Sequence, residues 1–272
     1  MFRKNISPDS GSSVPTLKHH KERIHANVIF ESRGEVALVR LASGITNAIG
    51  SELARDLINA LAEAKSRFKG LVLAGNAKFF SIGLNLPELL RLGRSEMEAF
   101  WVSFEDAVLD LYTLPLPTVC ALAGHAPAAG TVLALACDFR LMALGRKLMG
   151  LNEIKIGLPV PFLADLMLRQ AVGDRAAAEI AYMGELLLPE KAQALALADG
   201  LCPEEDVETK AIAKITEILE RPPFGFPLTK QHRTRDIRAR FLAGRQSVNQ
   251  TFMDCWFSKP VQELLLIACQ KF

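Results

Sequence analysis

Pro117-Thr-Val-Cys120-Ala-Leu-Ala-Gly124-His125-Ala-Pro127-Ala-Ala-Gly130-Thr-Val132-Leu-Ala-Leu-Ala-Cys137-Asp138-Phe-Arg140-Leu-Met142 is the stretch that decides the fold class of this chain. Thr118 to Ala123 is a short continuous apolar run, the pattern of a strand buried on both faces. Pro127 to Ala136 follows it as a run of small residues. Proline lacks the N–H that a first helical turn would leave unpaired, so this run predicts a buried helix whose start lies close to other backbone. Phe139 to Met142 reads as a further strand. Strand, helix and strand in this order indicate an α/β fold.

Upstream, Gly70 to Gly75 repeats the signature of a buried strand. Before it, Leu53, Leu57, Ile58 and Leu61 fall on one helical face, which predicts an amphipathic helix capped by Ser51. Val28 to Phe30 and Val36 to Leu41 flank the turn signal Ser32-Arg-Gly34 and read as a hairpin at the edge of a sheet. Residues 1–26 are polar, without an apolar period, and read as a flexible N-terminal tail. Downstream of Leu158 no strand is expected. Helical patterns cover Phe162 to Val172, Ala176 to Met183, Pro189 to Leu197, Val207 to Leu219, Thr229 to Met253 and Val261 to Lys271. The division expected is a tail (1–26), a core (27–200) and a helical region (201–272). Apolar positions in the last helices, among them Phe252, Trp256, Leu264 and Leu265, exceed what one domain would cover and so predict oligomerisation.

Composition narrows the function classes. Half of the 272 residues are hydrophobic and 23% are charged, which excludes a disordered chain. A net charge of +2 supplies no global field toward nucleic acid or anionic lipid. The five cysteines, Cys120, Cys137, Cys202, Cys255 and Cys269, show no metal-type spacing and fit a reducing compartment. No signal peptide and no run of about 18 apolar residues is found. These features together predict a cytoplasmic protein, or one of an organellar matrix in a eukaryote, that binds neither metal nor membrane.

Three stretches could bring backbone amides or a carboxylate together. Asn76-Ala-Lys-Phe-Phe-Ser81-Ile-Gly83-Leu84-Asn85-Leu86 follows a buried strand, with Gly83 available for an unusual backbone angle. Ala123-Gly-His125-Ala-Pro127-Ala-Ala129-Gly130-Thr-Val132 passes from strand end to helix start, where free N–H groups and the positive end of the helix dipole face the strand terminus. Met149-Gly150-Leu-Asn152-Glu153-Ile-Lys-Ile-Gly-Leu158 sets one carboxylate among apolar neighbours.

In this order and spacing the three stretches resemble the enoyl-CoA hydratase/isomerase (crotonase) superfamily, over a span from Ile29 to the C-terminus. Ala126 to Gly130 and Gly150 to Glu153, followed by Pro161-Phe162, are most similar to its Δ3,Δ2-enoyl-CoA isomerases. The resemblance implies a ββα-spiral core, a C-terminal helical trimerisation region, an acyl-CoA thioester ligand and a homotrimer or dimer of trimers. No separate cofactor is implied, because coenzyme A is part of the substrate. Carried over by position, the oxyanion-hole amides fall on Leu84 and Ala129, and the base falls on Glu153. Ser81, Gly83, Asn85, Gly130, Val132 and Asn152 are expected to line the substrate. Hydratases of the superfamily use a second glutamate at the position of Val132, and valine can neither activate water nor carry a proton. The implied reaction is therefore the shift of a 3-enoyl-CoA double bond to trans-2-enoyl-CoA in unsaturated fatty acid degradation. The alternatives are another acyl-CoA enzyme such as a hydratase, or a catalytically silent member that binds acyl-CoA or RNA. Two positions depart from the family pattern: Ala129 stands where most members have glycine, and Asn85 where aspartate is usual.

Other residues invite roles that simpler readings weaken. His125 lies between two implied site residues, yet a lone histidine at a strand end is usually packed, so it is left out of the catalytic set. Phe100, Trp101 and Phe104 could line an acyl tunnel or form ordinary core. Lys230, Arg233, Arg235, Arg238, Arg240 and Arg245 form a basic run that reads as a solvated helix face, without nucleic-acid binding.

Overall fold

The computed structural model describes residues 21–270. In chain order these comprise β1 (Lys21–His25), β2 (Val28–Arg33), β3 (Val36–Leu41), α1 (Ser51–Arg67), β4 (Gly70–Ala74), α2 (Leu86–Leu89), α3 (Arg94–Thr113), β5 (Thr118–Leu122), β6 (Ala126–Pro127), α4 (Ala129–Leu135), β7 (Phe139–Ala143) and β8 (Met149–Gly150). A single 3-10 turn, Glu153–Ile156, leads to α5 (Phe162–Met183), α6 (Pro189–Ala194), β9 (Gly200–Cys202), α7 (Val207–Leu219), α8 (Gly225–Trp256) and α9 (Lys259–Cys269).

The main sheet has the order β1-β2-β3-β4-β5-β7-β9. Its first three strands are antiparallel and the remainder pair in parallel. The apolar runs of β4 and β5 are buried throughout because both faces are covered, and the two faces alternate residue by residue. Leu71, Leu73, Cys120 and Leu122 face the large core that includes α1, α3 and α4. Val72, Ala74, Val119 and Ala121 face Val207, Ala211 and Ile215 of α7. A second, two-stranded parallel sheet joins β6 to β8 and so holds two of the three chemically suggestive stretches side by side.

Several expectations need correction. Residues 21–25, assigned to the tail, form the edge strand β1, paired with β2; residues 1–20 lie outside the described residues. The sheet does not end before Leu158, since β9 joins β7 in parallel. The boundary expected at 200/201 therefore cuts through a strand, and α7 beyond it covers a face of the core sheet. Ser51 does not cap α1. Its N–H donates to Glu88 Oε1 at 2.9 Å, so a carboxylate from α2 meets this unpaired amide. Pro127 lies in β6, and the helix begins two residues later at Ala129. The two helices expected between Phe162 and Met183 run on as α5 across a non-helical Gly173.

Of the four apolar residues expected to require a second copy, Phe252, Trp256 and Leu265 are buried within the chain and only Leu264 is exposed. The basic run is not wholly a solvated face either. Lys230 is buried, with Nζ 2.8 Å from Asp138 Oδ2, and Arg245 pairs with Glu105 at 2.9 Å and Asp106 at 2.8 Å. These pairs pin α8 to the sheet and to α3. All five cysteines are free thiols. Among the described residues no helix is long and apolar enough to cross a membrane.

Candidate active site

The site is built from two loops drawn together by directional bonds. The chain after β4 turns at Asn76, whose side-chain oxygen accepts the Lys78 and Phe79 N–H groups. Next, Phe80 and Ser81 donate to the His125 carbonyl, which binds this loop to the segment entering β6. Ser81 Oγ donates to the Asn47 carbonyl at 2.7 Å and accepts the Gly83 N–H. Asn47 itself is fully buried, and its amide donates to the carbonyls of Phe79 and Phe80. The turn then passes Gly83 at φ +107°, a conformation for which glycine is suited because a Cβ would be strained.

Leu84 pairs with Ile49 in an isolated parallel bridge. Ile49 donates to the Gly83 carbonyl, and Asn85 donates to the Ile49 carbonyl. The Leu84 N–H lies on the other side of that bridge and donates to no protein group among the described residues. The Ala129 N–H, in the first turn of α4, is likewise unpaired. A methyl group placed on Gly83 would stand 3.7 Å from the Ala129 nitrogen, which shows how close the two segments run. Gly130 allows this approach, since a Cβ there would lie 2.6 Å from the Ser81 carbonyl oxygen. Ala128 is held at φ +50°, ψ −121°, a backbone conformation that costs alanine about 1–3 kcal/mol. Its own N–H is spent on the Gly150 carbonyl at 2.8 Å, so the next amide, that of Ala129, is the one left unpaired.

Thr131 couples this segment to the third stretch. Its buried hydroxyl donates to the Ala126 carbonyl and accepts the Gly150 N–H at 2.8 Å, fixing β8 and the approach to Glu153. Glu153 opens the 3-10 turn. It is 7% exposed, and its Oε2 is buried with no hydrogen-bond partner. Burial pushes its carboxyl from the ordinary 4.5 up to about 7, with its own backbone N–H offsetting a part. The group is therefore able to take and return a proton near neutrality.

Leu84, Asn85, Ala129, Val132, Asn152 and Glu153 all line one cavity of about 510 Å³. Among the described residues Glu153 is the one carboxylate in that lining. Ser81, Gly83 and Gly130 lie behind it and act on backbone position. Asn85 is chiefly structural, since its side chain accepts the Glu88 N–H and donates to Glu88 Oε2 at 2.9 Å, holding the carboxylate that meets α1. His125 reaches the cavity wall, but its Nδ1 accepts the Leu148 N–H at 3.1 Å, and burial with Lys147 and Lys78 nearby lowers its pKa. It is a packed splice between loops. Trp101 and Phe104 line the cavity whereas Phe100 is core.

Asn47, Thr131, Phe252 and Trp256 were not singled out from the sequence as site residues. Asn47 and Thr131 bear small polar side chains whose partners lie elsewhere in the chain, and the two aromatics sit in a helix far downstream. Ala268 and Cys269 of α9 also reach the cavity.

The sequence pattern describing the family Enoyl-CoA hydratase/isomerase matches residues 31–265. The human protein "Enoyl-CoA delta isomerase 1, mitochondrial" is 28% identical over 234 residues, covering 85% of this chain and 78% of its own. A Thermus thermophilus protein whose name places it with the enoyl-CoA hydratases is 36% identical over 205 residues, covering 73% of this chain and 80% of its own. The crystal structure of human mitochondrial delta3-delta2-enoyl-CoA isomerase superposes with a TM-score of 0.87 at 27% identity, covering 90% of this chain and 97% of that one.

Proposed function

The chain belongs to the enoyl-CoA hydratase/isomerase family, and from that premise we propose that it moves the double bond of a 3-enoyl-CoA to the trans-2 position, as a step in degrading unsaturated fatty acids. The observation that carries this reading is the single Glu153 carboxylate, its Oε2 without a partner, in a cavity whose wall also holds two unpaired amides and, at Val132, an inert side chain.

The thioester carbonyl oxygen accepts the N–H groups of Leu84 and Ala129. Glu153 takes a proton from C2, and the electron pair spreads over a dienolate whose negative charge rests largely on that oxygen. Two preorganised amides facing it lower the barrier by several kcal/mol. The same carboxylic acid then returns the proton to C4, and the double bond closes between C2 and C3. One base suffices because the proton leaves and re-enters the same conjugated system. Hydration would need a second group to activate water, and Val132 supplies none.

The test is to mix purified protein with 3-hexenoyl-CoA and follow the absorbance of the conjugated 2-enoyl thioester. The reading expects conjugation without appreciable water addition to 2-enoyl-CoA. Robust hydration, or no conjugation at all, would overturn it. A homotrimer or dimer of trimers belongs to the same proposal and is supported by the exposed apolar side chains Tyr182, Met183, Leu266 and Ile267. Sedimentation as a monomer at micromolar concentration would remove that part.

A further inference from the structure

Two cavities meet at the aromatic side of the site. Beside the one that holds Glu153 lies a second of about 660 Å³, bounded mainly by α5, α8 and the segment from Ile154 to Phe162. Trp101, Leu158, Pro161 and Phe252 belong to both walls. The partition they form is dense at its centre, where the rings of Trp101 and Phe252 stack with centroids 3.9 Å apart and planes 16° from parallel. Phe104 lies 5.9 Å from Trp101 and Trp256 lies 6.3 Å from Phe252, so neither ring of the stack can turn without displacing a neighbour.

The Glu153 cavity is asymmetric. One part of the lining carries Phe79 and His125, with the Lys78 ammonium over the Phe79 ring and Lys147 close by, bonded to the Ala77 carbonyl and paired with Glu204 at 2.6 Å. The rest of the lining includes the buried aromatic cluster, where the described residues offer no charged side chain to meet a phosphate. The phosphates of an acyl-CoA must stay hydrated or paired. They therefore belong at the lysine end, and the acyl tail points at the rings.

We infer that the Trp101–Phe252 stack is an end stop that sets the longest acyl chain this site accepts, the space beyond it being closed to the substrate. This inference rests on the acyl-CoA reading above. A tail that ends before the stack gains apolar contact with each added methylene, and a longer tail meets packed rings and must fold back or stay in water.

The experiment titrates the full chain calorimetrically with saturated acyl-CoAs from butanoyl to hexadecanoyl, none of which can be isomerised. Affinity should rise by roughly fourfold per methylene at first, then break to a plateau or a decline. Trp101→Leu and, independently, Phe252→Leu should move the break to longer chains, and Trp101→Phe, which retains a stacked ring, should leave it in place. An affinity that climbs without a break to sixteen carbons, or a break unmoved in both leucine variants, would overturn the inference. The two readings fail separately. A break that moves while 3-enoyl-CoA goes unconverted removes only the proposed reaction; conversion without a break removes only the end stop. Absence of binding at every length removes both.

Discussion

The two ends of the cavity are held by different forces. At the amide end, Ser81 to Asn85 and Ala126 to Thr131 are fixed by backbone hydrogen bonds and by buried polar side chains such as Asn47 and Thr131. At the aromatic end, α3 and α8 meet through stacked rings, with Arg245 bridging them nearby. Directional bonds hold atoms in place and tolerate no added volume, whereas dispersion holds volume and tolerates exchange of one apolar shape for another. Damage to the first end should therefore appear in turnover, and damage to the second in stability and chain-length choice.

That contrast breaks most sharply at Glu153. Glu153→Gln keeps the shape and removes the proton acceptor, so turnover of 3-enoyl-CoA should fall by roughly 10²–10⁴-fold, with little change in acyl-CoA affinity; a Gln enzyme that still turns over would shift the base to His125. The same variant should be more stable in alkali. With its pKa raised to about 7, folded Glu153 keeps a proton that the unfolded chain releases near 4.5. The stability this proton linkage gives is complete below about 4.5 and is lost as pH rises past about 7, a change of about 3 kcal/mol that Gln removes. Melting curves at pH 8 should favour Gln, and those near pH 4 should coincide.

Trp256→Ala probes the other end. A fully buried indole stacked on Phe252 should cost about 3–5 kcal/mol in denaturant unfolding, and a loss confined to turnover would contradict the division of labour. Gly130→Ala returns to the amides: its methyl meets the Ser81 carbonyl, displaces the Ala129 N–H, and should lower kcat about 10²-fold in protein that is still folded by circular dichroism. Wild-type kcat/KM should fall about tenfold per pH unit below about 7 and level off above it; a flat profile from pH 5 to 8 would exclude Glu153 as the base. The smallest effect belongs to Val132→Ala, which should cost about 1 kcal/mol of stability and leave turnover within the same order of magnitude.

The three stretches that line the cavity were legible in the sequence because each is contiguous, and within them the resemblance singled out particular residues. Leu84, Ala129 and Glu153 each lie in a short stretch where strand end, glycine and helix start follow one another. What was not legible is equally specific. Ala128 adopts a positive φ that an alanine does not advertise. Lys230 sits in a run of cations, and only the fold brings Asp138 to it across 92 residues. The spacing of Phe252 and Trp256 shows that a face is covered but not by what; Trp101 of α3 covers Phe252. The strand at 200–202 is too short for any period to register. At the N-terminal edge, Lys21–His25 is charged enough to read as a tail, although edge strands tolerate charge well.

Because the aromatic end joins residues about 150 positions apart, it has a history during synthesis. When Trp101 and Phe104 leave the ribosome, Phe252 and Trp256 have yet to be translated. At about 5–20 residues per second the α3 rings wait roughly 8–30 s for α8, while the two amide-bearing loops, about 45 residues apart, emerge roughly 2–9 s from each other. A nascent chain of this protein thus carries an uncovered aromatic face until α8 has been made, and that face is where a chaperone that recognises apolar surface would bind.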